Sequence, residues 1–105
     1  MVEILTDATF DEKVLQTEKL AVVDFSAVWC GPCRMVSPII HELATEYEGR
    51  IVVGELNVDD NPAVTAKYKV RNIPTVLFIK NGEVVDKQVG AVPKASYKGL
   101  VEKHI

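Results

Sequence analysis

Cys30 and Cys33 are the only cysteines in this 105-residue chain, and Gly31 and Pro32 alone stand between them. Two thiols three positions apart cannot staple a fold, because the loop they close is too short to constrain much chain. Their spacing suits thiol–disulfide exchange instead. In that chemistry one thiolate attacks a foreign disulfide, and a second thiol within a turn attacks the mixed disulfide to release the reduced partner. Cys30 follows an apolar strand-like run, and Cys33 falls in the first turn of a predicted helix. Unpaired N–H groups and the positive end of a helix dipole lower a thiol pKa from ~8.5 to about 3.5–7.5. Cys30 is therefore read as the nucleophile and Cys33 as the resolving thiol. Two blander readings stand beside this one: a pair of buried thiols acting as small hydrophobes, or half of a zinc site completed by His41 and His104. The two histidines lie far apart in the chain, unlike a finger, and each reads as an ordinary surface side chain.

Asp24 is the other residue that invites chemistry. It interrupts the apolar run Leu20-Ala21-Val22-Val23-Asp24-Phe25, where an ionised carboxylate is costly to bury and its pKa is expected to rise. A buried acid poised near neutrality could take the proton of Cys33 during resolution and return it. It could equally be a hydrogen-bonded acid with a structural part only.

These residues need a scaffold, and the rest of the chain supplies its outline. Val2 to Leu5 reads as a strand. Thr6 and Asp7 are candidate caps for a helix carrying Phe10, Val14 and Leu15 and ending near Thr17. Leu20 to Phe25 has the near-continuous apolarity of a central strand covered on both faces. Beyond Cys33, Val36, Ile39, Ile40, Leu43 and Tyr47 recur at steps of three and four. They predict a long helix that starts near Pro32, is kinked by Pro38 and ends at Gly49. Ile51 to Val58 reads as a buried strand, and Asn61 and Pro62 as cap and first residue of a helix reaching about Tyr68. Thr75 to Lys80, the turn Asn81-Gly82 and Glu83 to Val89 form a β-hairpin pattern, and a last helix is expected from about Pro93 to His104. Connections are short and no repeat or linker is present, so residues 1–105 read as one α/β domain.

Composition narrows the function classes. The chain is 48% hydrophobic and 26% charged, a globular balance, and a chain of this length buries roughly 65% of its unfolded surface. A net charge of −3 with no Lys/Arg run lacks the footprint of a nucleic-acid binder. No apolar stretch approaches the ~18 residues of a membrane span. The acidic start Met1-Val2-Glu3-Ile4-Leu5-Thr6-Asp7 does not resemble a secretory signal, and a cytoplasmic protein of a reducing compartment is expected.

Val23-Asp24-Phe25, Trp29-Cys30-Gly31-Pro32-Cys33, Pro38, Asn61-Pro62, Ile73-Pro74-Thr75, Asn81-Gly82 and Val89-Gly90-Ala91 together resemble the thioredoxin family nearly end to end. The Gly-Pro pair between the cysteines is similar to that of thioredoxins proper rather than to Pro-Tyr of glutaredoxins or Gly-His of disulfide isomerases. The resemblance implies a thioredoxin fold, a five-stranded mixed sheet flanked by four helices, and reduction of disulfides in protein substrates. It further implies recharging by a thioredoxin reductase drawing on NADPH or ferredoxin, no bound cofactor or metal, and a monomer that engages neither membrane nor nucleic acid.

By the same resemblance Pro74 is a cis proline facing the cysteines, with the Ile73 backbone turned outward to pair with an extended substrate segment. Without it, Pro74 merely starts a strand. Trp29, Gly31, Pro32, Val58, Ile73, Gly90 and Ala91 are expected to form a shallow apolar rim around Cys30. Two positions depart from the usual bacterial pattern. Ser26 stands where a second tryptophan is common, leaving that flank more open. Glu55 stands where many members carry a lysine near the buried aspartate, and a like charge there would raise the Asp24 pKa if the side chain points that way. A reading from another class is a thioredoxin-fold binding module whose rim docks a partner and whose redox chemistry is incidental.

Overall fold

The computed structural model describes residues 1–105. Five strands, β1 (Val2–Leu5), β2 (Leu20–Ser26), β3 (Ile51–Asn57), β4 (Thr75–Lys80) and β5 (Glu83–Val89), form one sheet in the order β1-β3-β2-β4-β5. β1 and β2 both run parallel to β3, whereas β4 is antiparallel to β2 and to β5. The helices are α1 (Gly31–Glu46), α2 (Pro62–Lys67) and α3 (Lys94–His104), preceded by a short π-helical turn over Asp11–Leu15. This is the mixed sheet with four flanking helical segments implied by the sequence resemblance. None of these helices is long and apolar enough to cross a membrane.

The alternation of each central strand divides the core in two. Leu20 and Val22 of β2, with Ile51, Val53, Val76 and Phe78, pack under Val36, Ile40 and Leu43 of α1 and Tyr97 and Val101 of α3. Ala21, Val23 and Phe25 point the other way, against Phe10 and Val14 of the π turn and Val64 of α2. Burial on both faces explains why β2 reads as unbroken apolar sequence. Asp24 continues the row Leu20, Val22 and so sits beneath α1.

Two local expectations are corrected. The segment after β1 is not a regular helix to Thr17 but a five-residue π turn, closed where the Gln16 N–H donates to the Asp11 carbonyl. Asp7 does not cap it. Its carboxylate oxygens accept from the N–H groups of Ala63 (3.1 Å) and Val64 (2.9 Å), so Asp7 caps α2 from across the chain. Asn61 has no capping bond to α2. Its amide carbonyl accepts from the Asp7 N–H at 2.9 Å, and its NH2 donates to the Asn57 carbonyl at 3.0 Å. The hairpin turn is as expected, with Asn81 and Gly82 both at positive φ (53° and 81°).

Candidate active site

β2 ends at Ser26, and the chain turns through Ala27, Val28 and Trp29 to place Cys30 as the N-cap of α1. Pro32 sits in the first turn of that helix, where its missing N–H removes a donor that has no helical partner anyway. Cys30 and Cys33 are joined as a disulfide, with Cα atoms 5.3 Å apart. The Cys33 N–H donates to Cys30 Sγ at 3.2 Å. The first turn of α1 carries no acidic side chain, so nothing there opposes negative charge on Cys30. Both sulfurs are nearly covered: Cys30 and Cys33 pack with Ala27 in a small apolar cluster against Val58 and Ile73.

Of the residues picked out in the sequence, Val58 and Ile73 pack against the pair, and Trp29, Gly31 and Pro32 adjoin it in the chain. Trp29 is 67% exposed, and its indole N–H donates to Asp59 Oδ2 at 2.7 Å. Gly31, Pro32 and Ala91 are exposed, while Val58, Ile73 and Gly90 are half-buried. The Ile73–Pro74 peptide bond is cis and Pro74 is buried. The Pro74 carbonyl accepts from the Gly90 N–H at 2.8 Å, tying the Gly90 stretch to the proline loop. Gly90 has φ 88°, a left-handed conformation that favours glycine. Its carbonyl accepts from the hydroxyl of buried Tyr97 (3.1 Å), and that hydroxyl in turn accepts from the Val92 N–H (3.3 Å).

Asp24 is fully buried, and no protein group is hydrogen-bonded to either carboxylate oxygen. Burial, followed by the charge of Glu55, pushes its pKa up from the ordinary carboxylate range to about 7. Glu55 is its cross-strand partner in the β2–β3 register.

Several contacts carried no isolated signal in the sequence. Glu55 accepts from the Ser37 hydroxyl at 2.7 Å and pairs with His41 Nε2 at 3.1 Å, so His41 is more than a solvated side chain. Cys33, Ser37 and His41 are spaced by four residues along α1, a one-face pattern that could have linked them in advance. His104 is likewise not a free surface group: its side chain is only 18% exposed and bonds Asp86 at 3.0 Å. The bond from Trp29 to Asp59 joins residues thirty apart and had no precursor in local pattern.

The family model described as Thioredoxin matches residues 1–103. The M-type chloroplastic thioredoxin of Pisum sativum is 53% identical over 99% of this chain, which spans 60% of that protein's length. Thioredoxin 2 of Chlorobaculum tepidum is 49% identical over 95% of this chain and 92% of its own. Thioredoxin 1 of Nostoc sp. is 48% identical over 96% of this chain and 94% of its own.

Proposed function

The chain belongs to the thioredoxin family and is a thiol–disulfide oxidoreductase, and we propose that it reduces protein disulfides with Cys30 as nucleophile, Cys33 as resolving thiol and Asp24 as the proton acceptor for Cys33. The observation that carries this assignment is the placement of Cys30 as N-cap of α1, with the Cys33 N–H directed at its sulfur. In the reduced chain such a site favours the Cys30 thiolate. That thiolate attacks one sulfur of a substrate disulfide. A Cys30–substrate bond forms, the substrate S–S bond breaks, and the first substrate sulfur leaves as a thiolate that picks up a proton. Asp24 then takes the proton of Cys33, whose thiolate attacks Cys30 Sγ. The second substrate thiolate leaves, and the Cys30–Cys33 disulfide holds the two-electron oxidation.

The exposed and half-buried residues Trp29, Gly31, Pro32, Val58, Ile73, Gly90 and Ala91, with the buried cis Pro74 setting the Ile73 backbone, are the proposed docking surface for an extended disulfide-bearing segment, because the small residues among them let a partner's backbone approach. A thioredoxin reductase in a reducing, cytoplasmic setting is the proposed source of electrons. The test is turnover of insulin disulfides with dithiothreitol as the terminal reductant. Cys30→Ser is expected to abolish the catalysed rate, and reduced Cys33→Ser, freed of dithiothreitol before insulin is added, to accumulate a covalent chain–insulin complex. A Cys30→Ser chain that still supports turnover would overturn the assignment. A potential of the Cys30–Cys33 couple below that of the glutathione pool would fit a general reductant, and a more oxidising one would point to disulfide formation instead.

A further inference from the structure

Between the segment that follows α2 and the end of β5 lies a cavity of about 210 Å³, whose wall includes Lys69, Arg71, Asn72, Thr75, Lys87 and Val89. That wall holds three cations and no carboxylate. All three cations are exposed, and none enters an ion pair, although the chain carries 15 acidic residues. Asp86, the strand neighbour of Lys87, is engaged instead by His104 and Lys103 of α3. Like charges around one cavity repel each other, and an incoming anion relieves that repulsion. Lys69 adds an independent sign. It follows the last turn of α2 at φ 54°, the left-handed conformation in which glycine ordinarily ends a helix. A side chain there is costly, and Lys67 already supplies a cation to the last turn of α2. Backbone conformation and helix dipole together therefore leave the charge of Lys69 without a local reason.

We propose that this cavity is a docking subsite for carboxylate side chains of a partner protein, and that the chain prefers disulfides flanked by Asp or Glu. The proposal rests on the reading of the chain as a reductant of protein disulfides. The cavity adjoins the reacting pair through two short stretches. Asn72 precedes Ile73, which packs against Cys30 and Cys33. Val89 is the register partner of Thr75 and precedes Gly90, whose N–H donates to the Pro74 carbonyl. A segment lying along the Ile73 backbone therefore brings the side chains that flank its cysteine to the mouth of the cavity. The space admits a carboxylate together with several waters, since one liquid water takes ~30 Å³. The planar Arg71 guanidinium can bind both oxygens of a carboxylate, while Lys69 and Lys87 act as point charges that draw it in.

The test uses two synthetic peptides that share one disulfide loop, with flanking glutamates in the first and glutamines in the second. The reduced chain, freed of reductant, is mixed with each, and the second-order rate of peptide thiol release is read after acid quench. The parent is expected to reduce the acidic peptide about tenfold faster at low ionic strength, with the ratio shrinking as NaCl is added. Lys87→Glu is expected to bring the ratio to one or below. Lys69→Gly should lower it as well, while raising the urea midpoint by relieving the backbone. Lys19→Glu makes the same change in net charge as Lys87→Glu at the opposite end of β2, and is expected to keep the ratio of the parent. Equal rates for the two peptides in the parent overturn the proposal and leave the reductase reading standing, whereas a parent that reduces neither peptide overturns both. A ratio lowered as much by Lys19→Glu as by Lys87→Glu overturns it too, since net charge alone would then suffice. So does a Lys69→Gly chain that is less stable than the parent with its preference intact, which would give the lysine a structural part. Inorganic phosphate that abolishes the preference where chloride at equal ionic strength does not would make the cavity a small-anion site, and overturn its reading as a docking subsite.

Discussion

At the scale of single residues, the stretch from Gly90 to Val92 is held by a side chain with no exposure of its own. Tyr97 is fully buried, yet its hydroxyl is the joint partner of the Gly90 carbonyl and the Val92 N–H. These bonds fix the stretch from Gly90 to Val92, which is also tied to the cis proline loop through the Gly90 N–H. Tyr97→Phe keeps the ring and its packing and deletes only the hydroxyl, leaving two backbone groups without that partner. A loss of about 1–2 kcal/mol in urea denaturation is expected, with faster amide exchange at Val92 and a raised KM for a protein disulfide at unchanged kcat. Unaltered exchange at Val92 would mean the hydroxyl does not hold this loop. Glu55 and Asp24 give the contrasting case, in which proximity rather than bonding matters. The charge of Glu55, at the same register position on β3, adds to burial in raising the Asp24 pKa.

At the scale of elements, the short α2 depends on a residue more than fifty positions away. A six-residue helix is too short to be stable on its own propensity, and its first N–H groups have no internal acceptors. Asp7 provides two acceptors from the end of β1, with its negative charge at the positive end of the helix. Asp7→Ala is expected to destabilise the fold by about 1–2 kcal/mol in urea denaturation, with Asp7→Asn recovering part of it. Equal stability of the alanine variant and the parent would show that solvent caps α2 as well. β3 holds a second such constraint. An ideal Cβ built on Gly54 would stand 2.5 Å from Leu5 Cδ1, so glycine here admits the close approach of β1. Sequence pattern marked both elements correctly, yet it assigned Asp7 to the nearer helix, because capping preferences are local statistics and this cap is a tertiary contact.

For the whole molecule, the buried acid ties folding to pH. In the unfolded chain Asp24 ionises near the ordinary value of 3.8, and in the folded chain near about 7. Between those values the folded state holds a proton the unfolded state has released, so stability falls as pH rises. The difference corresponds to about 4 kcal/mol, fully felt only above the folded pKa. Glu46 and Asp86 act in the opposite sense, since Lys94 and His104 respectively hold their pKa values down and their contribution is lost in acid. Comparison with Asp24→Asn isolates the one group. Urea denaturation from pH 4 to 8 is expected to show the variant gaining on the parent as pH rises, with the gap levelling above pH 7. Parallel curves would show that Asp24 is solvated when ionised.

How far the chain could be read in advance follows from the range of each interaction. The β2 run, the periodicity of α1, the Asn81-Gly82 turn and the Cys30–Cys33 spacing are set by neighbours within a few residues, and these features recur in the structure where the sequence placed them. That Asp24 would be buried was legible because a strand apolar on both faces leaves no solvent-facing side. Glu55 beside it was expected from the family resemblance if its side chain pointed that way, and the strand register and the raised Asp24 pKa agree. The clamp from Ser37 and His41, the cap on α2 and the tie from Trp29 to Asp59 were not legible, because they join distant stretches. Their chemistry depends on strand register and helix rotation, which are set by the packing of the whole core rather than by any local preference.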